Sequence, residues 1–156
     1  MPPTKDAGVP VELGSSDCWD YIRQASVGRL AVVVDGRPEI FPINFAVDHG
    51  TIIFRTAKGT KLSAALDDSP VAFEVDGYDD RLGYAWSVVL KGDAAQLESI
   101  EDVLDSQDLE LFPWQSGEKN HFIRIVPAET TGRRFLITNE ARRHVLAARR
   151  RQLLAE

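Results

Sequence analysis

The stretch GRLAVVVDGRPEIFPINFAVDHGTIIFRT, residues 28–56, decides the fold. GRLAVVV is rich in β-branched residues and runs into Asp35-Gly36, the strongest short hairpin signal, before RPEIFPINFAVD returns as a second strand. His49-Gly50 marks another turn, and TIIFRT (51–56) reads as a third strand of a meander. Two more strands follow at 70–78 and 84–98, the second carrying Gly92, which suggests a bulge or bend. HFIRIVP (121–127) alternates as a sixth, and TGRRFLI extends the same sheet.

Helical signals sit around these strands. DCWDYIRQA, capped by Ser16 or Asp17, predicts a short helix with Trp19 and Ile22 on one side, ending before Gly28. Thr60 caps a second short helix that Pro70 stops, and ESIEDVLDSQDLE from residue 98 predicts an acidic one. Residues 139–155, capped by Asn139, predict a terminal helix rich in arginine. Residues 1–14 hold prolines and glycines and read as a loose, flexible N-terminal arm. The expected fold is therefore mainly β with flanking helices, a six-stranded antiparallel barrel over residues 15–138. The helix of residues 139–156 packs on the same domain. Closure of the barrel removes exposed strand edges.

Composition narrows the function classes. A chain of 156 residues, 44% hydrophobic, can bury one core. The net charge of −6 and a pI near 5.1 argue against whole-molecule attraction to nucleic acid or anionic membrane. Lone Cys18 and the lack of metal-ligand spacing fit a soluble, cytoplasmic protein without a structural metal. The arginines 142, 143, 149, 150 and 151 are the best case for nucleic-acid contact. Their helix, with Leu146 and Leu153 on one side, better suits packing on its own protein with the charged heads turned outward.

Against that acidic background, FRTAKGTKLSAAL (54–66) gathers Arg55, Lys58 and Lys61 among Thr56, Gly59 and Thr60. A helix N-terminus after a glycine turn, flanked by lysines and hydroxyls, is a phosphate site in chemical outline. It lacks the GxxxxGK[ST] pattern of nucleotide triphosphate loops. A capped surface helix with solvated lysines is the plain alternative.

These residues carry a family likeness. GRLAVVVDGRPEIFPINFAVDHGTIIFRTAKGTKL, then PVAFEVD and AWSVVLKG, resembles the flavin-binding split-barrel proteins grouped with pyridoxamine 5′-phosphate oxidase, especially the small actinobacterial-type branch. The resemblance implies a homodimer of split barrels with two flavins at the interface. It implies that Lys61, with Lys58, Thr60 and Arg55, grips the phosphate of FMN, that Pro42, Ile43 and Asn44 lie along the isoalloxazine, and that Thr56 touches the ribityl–phosphate portion. An amide such as Asn44 offers both donor and acceptor to a flavin edge, although a strand-end turn asks for the same residue. Trp86, Ser87 and Trp114 are candidates for the far pocket wall, while Trp86 suits a core or interface at least as well. Of Arg133 and Arg134, adjacent on a strand, at most one can face the site.

The resemblance further implies a flavin-dependent oxidoreductase acting on a small molecule, with no catalytic side chain identified. F420 is the alternative cofactor. A non-catalytic flavin carrier and a haem-binding module using His121 are the competing readings. TTGRRFLI contains no counterpart of the oxidases' Arg-x-His substrate motif, so vitamin B6 oxidation is not the expected reaction.

Overall fold

The computed structural model describes residues 8–57, 66, 70–79, 81–97 and 121–155. Their elements run β1 (Val11–Glu12), α1 (Ser15–Gln24), β2 (Val27–Val34), β3 (Arg37–Asn44), β4 (Ala46–Asp48), β5 (Thr51–Thr56), β6 (Pro70–Asp79), β7 (Tyr84–Gln96), β8 (His121–Leu136) and, for the helix Asn139–Ala155, α2. The sheet is antiparallel throughout, with the order β3-β2-β6-β7-β8-β5-β4 and with β1 paired to β8. The path ends on β3 and β4, which are consecutive in the chain and separated only by Phe45. The sheet must therefore curl until its ends meet, which is the split-barrel architecture.

Local chemistry explains the turns. Asp35 (φ 51°) with Gly36 (φ 73°) and His49 (φ 46°) with Gly50 (φ 73°) both hold two successive left-handed residues, the geometry of tight hairpins whose twist matches the strands. The bulge lies at Lys91/Gly92, where Gly92 faces Pro127. A Cβ at Gly92 would sit 2.1 Å from the Val126 carbonyl oxygen, so only glycine admits this approach. Because the register shifts there, β8 runs on through Pro127 as one strand to Leu136.

Three sequence expectations change. Among the described residues there are eight strands where six were read, because Phe45 interrupts RPEIFPINFAVD and because the N-terminal arm supplies β1. The arm is tied down from Gly8 onward. Val11 and Glu12 pair with Arg134 and Arg133, Leu13 N–H donates to the Gly132 carbonyl at 2.9 Å and Gly8 N–H to that of Leu136 at 2.8 Å. Finally, α2 buries none of its residues, and Leu146 and Leu153 remain 62% and 75% exposed, so its apolar side is not sealed against the domain as expected. The helices read after Thr60 and from residue 98 lie outside the described residues.

The core fills the inner face of the sheet. Leu30, Phe54, Phe73, Val75, Val88, Leu90 and Ile125 are buried there, and Cys18 and Ile22, one helical turn apart, dock α1 onto them. Phe45 meets Phe73 edge to face at 4.9 Å. At a typical 1.5–3 kcal/mol for each large apolar side chain buried, this face supplies the main stabilisation. The outer face is left for other work.

Candidate functional site

Strand alternation divides the predicted residues between the two faces. Pro42 is exposed and lies opposite Arg29; Asn44 lies opposite Val27 and its Nδ2 donates to the Ser26 carbonyl at 3.4 Å. Ile43 between them points into the core at 9% exposure, so only its backbone faces outward. On β5, Arg55 shares the side of Ile53, away from Phe54, and its guanidinium lies 5.2 Å from the centre of the Phe122 ring. Thr56 is 4% exposed and stands opposite His121, presenting little surface to a ligand. β3 and β5 lie in contact, so the strands that carry Asn44 and Arg55 are neighbours.

His121 opens β8 beside these residues. Its Nδ1 lies 2.5 Å from the Gln96 side-chain amide at the end of β7, within hydrogen-bond distance. Lys58, Thr60, Lys61 and Trp114 fall outside the described residues.

Trp86 and Ser87 are split by the pleat. Trp86 turns toward α1, stacking on Tyr21 with ring centres 4.6 Å apart and an interplanar angle of 29°. It lies over Gly77, where an added Cβ would come within 2.8 Å of the indole. The indole fastens helix to sheet and also lines the outer groove. Ser87 stands on the opposite face between Asp76 and Arg133. The adjacent arginines divide in the same way: Arg134 donates to the Tyr21 hydroxyl at 3.3 Å and lies 5.2 Å from the Tyr84 ring centre, whereas Arg133 is exposed beside Ser87.

The outer face also holds charges not singled out from the sequence. Arg29 Nε donates to Glu74 at 2.9 Å and its terminal nitrogen to Asp76 at 2.5 Å. Burial and then the neighbouring Asp76 push the Glu74 carboxyl above its ordinary value, against the pull of Arg29. Alternation in GRLAV and VAFEVD was the available signal, since each residue is flanked by residues that belong inside. Toward α2, this face becomes a groove of about 740 Å³ bordered by Tyr78, Ser87, Phe135, Arg142, Val145 and Leu146. The arrangement provides an amide, hydroxyls, guanidinium groups and aromatic edges around one sheet face.

Comparison with known proteins returns a consistent set. Residues 14–134 match the family model described as pyridoxamine 5′-phosphate oxidase. An uncharacterized protein of Mycobacterium tuberculosis is 40% identical over 85 residues, covering 54% of this chain and 76% of its own length. The solved structure of an FAD-binding protein from Mycobacterium smegmatis is 38% identical with a TM-score of 0.71, over 81% of this chain and 98% of that one. A candidate pyridoxamine 5′-phosphate oxidase from Corynebacterium glutamicum is 37% identical with a TM-score of 0.75, over 82% of this chain and 99% of that one.

Proposed function

The chain belongs to the pyridoxamine 5′-phosphate oxidase family, and from that premise we propose that it binds a flavin nucleotide between two copies of its barrel and acts as a flavin-dependent oxidoreductase on a small molecule. The observation that carries this is the contact between β3 and β5. Asn44 ends β3 and Arg55 lies near the end of β5, both turned away from the core, and Lys58, Thr60 and Lys61 follow Arg55 in sequence.

The donor set fits the group. A carboxamide can both donate to and accept from a flavin edge, a hydroxyl such as that of Ser87 can do either, and guanidinium and ammonium groups hold phosphate through charge-assisted bonds. A bound flavin supplies hydride or one-electron transfer; the protein supplies binding, orientation and electrostatics. Asn44 would orient the ring edge, Arg55 with the lysines would hold the phosphate end, and Ser87 would bound the site. Trp86 is assigned to packing α1 and not to the ring. The Mycobacterium smegmatis relative favours FAD as a second candidate beside FMN.

Titration with FMN, FAD and F420, followed by flavin fluorescence, tests this. One of them should bind saturably, with Lys61→Ala weakening it by about 1.5–3 kcal/mol and Asn44→Ala by about 1 kcal/mol. Failure of all three to bind sinks the proposal. Unchanged affinity in both variants would move the site elsewhere.

A further inference from the structure

We propose that α2 is a clasp between two copies of this chain, its leucine stripe and the arginines beside it taking the acidic segment of residues 98–110 from the second copy. The helix is an addition to the shared barrel, since it begins beyond residues 14–134, which match the family model. It buries none of its residues. Leu146 and Leu153, seven positions apart and therefore on one side of the helix, are 62% and 75% exposed. The same spacing sets Arg142 and Arg149 along one flank of this stripe and Arg143 and Arg150 along the other. The first flank faces the barrel, where the Arg149 guanidinium lies 5.6 Å from the centre of the Tyr78 ring. The second, with Arg143 and Arg150 exposed, faces outward.

A leucine stripe bordered by like charges repels a second stripe of its own kind and favours a partner whose apolar side is bordered by acids. Residues 98–110 hold six acids and no base. In the helix that their spacing predicts, Ile100 and Leu104 share one side, with Glu101, Asp105 and Asp108 along its flank. Glu101 and Asp108 stand seven positions apart, the spacing of Arg143 and Arg150.

That the segment comes from a second copy follows from where the two pieces leave the sheet. Gln96, just before the acidic segment, pairs with Ile123; Leu136, just before α2, pairs with Tyr84 at the far end of the same ladder. From Ile123 to Leu136 is about 40 Å along the strand, whereas residues 98–110 as a helix span about 20 Å. The acidic helix of one chain therefore falls short of its own α2. A copy related by a two-fold axis presents its acidic end to the first copy's basic end, and the contact forms twice.

The clasp rests on the pairing of two copies proposed above, and not on the flavin. In sedimentation at low salt the intact protein should form a dimer that loosens as salt is raised. Arg143→Glu with Arg150→Glu should weaken it about 30-fold or more, because two reversed charges act in each of two contacts. Adding Glu101→Arg and Asp108→Arg should restore it to within about 3-fold. Both arginines lie on a helix that buries nothing, so circular dichroism should match the parent. Native Cys18 is buried, so Leu104→Cys and Leu153→Cys chains, oxidised as a mixture, should give a covalent dimer that neither gives alone.

A charge-reversed dimer as tight as the parent, or a mixture without the cross-link, would overturn the clasp and leave the flavin proposal standing. So would a chain carrying both cysteines that closes on itself, which would give α2 to its own acidic segment. Arginine-dependent binding to phosphatidylglycerol vesicles or duplex DNA, with no cross-link, would assign the helix to another partner and equally overturn it. Loss of FMN binding with the cross-link intact would support the clasp and sink the flavin proposal alone.

Discussion

Two carboxylate clusters, built from the same kinds of side chain, behave in opposite ways. At the β4–β5 turn, Asp48 has a partner on each oxygen: Arg124 at 2.8 Å and His49 at 2.6 Å, while Arg124 also reaches the Thr51 hydroxyl at 2.6 Å. The Arg124 and Asp48 side chains are only 20% and 19% exposed. The Arg124 hydrogen bond, opposed by burial and helped by His49, holds the Asp48 carboxyl below its ordinary 3.8. On the outer face of β2 and β6 the stoichiometry is reversed, with Arg29 shared by Glu74 and Asp76. There the Glu74 carboxyl is raised above 4.5. One cluster ties a turn to a distant strand; the other keeps surplus negative charge on the face that also carries Asn44 and Ser87.

Removing the sealed partner is the severest way to break this contrast. Asp48→Asn should cost about 1.5–3 kcal/mol at neutral pH, because Arg124 loses its charged acceptor, as measured by urea unfolding. The pH dependence has a fixed sign. A depressed carboxylate contributes stability above its unfolded pKa and loses it as pH falls through the folded value. Wild-type stability should therefore drop below about pH 3.8, and the variant should lose part of that drop. A variant as acid-sensitive as the parent would show that Asp48 is not the responsible group.

Arg29→Gln should cost less, within about 1 kcal/mol, since the pair is open to solvent and screened. Its signature is electrostatic. Without Arg29 the Glu74 carboxyl should rise further, so the deficit of the variant should shrink as pH falls toward 4.5, at higher pH than in the Asp48 case, where it shrinks only below about 3.8. A deficit that shrinks only below about pH 3.8 would erase the distinction between the clusters. Smallest of all, Glu74→Gln should shift stability by less than about 0.5 kcal/mol, because Arg29 keeps Asp76. A loss of 2 kcal/mol or more would mean that the outer cluster is structural too.

Much of the fold could be read from the chain because its turns are local. Asp35-Gly36 and His49-Gly50 announce two hairpins, and residues 51–56 form the strand they predict. The long-range features were hidden for physical reasons. Pro127 ends a strand by the usual rule because it lacks an N–H, and only its pairing with Gly92 across a bulge lets β8 continue. Nothing within residues 11–12 signals a strand, since their hydrogen bonds are made to residues more than a hundred positions away. Trp86 satisfies a pocket and a core alike, and its stacking on Tyr21 depends on where α1 lands. The groove was equally invisible, because neither α2 nor β8 encloses it alone. Asn44 and Arg55 were legible as chemistry, but the contact between their strands depends on the chain turning at Phe45.

Phe45 carries a mechanical consequence. A flat sheet has two free hems, and each can fray without disturbing the other. Here the hems are neighbouring links of one chain, riveted by an aromatic ring against Phe73. Peeling β3 from β2 pulls on the junction that anchors β4 to β5, so the two local hairpins are yoked despite sitting at opposite ends of the hydrogen-bonded path. The barrel resists opening less through the number of its ladders than through the shortness of its seam.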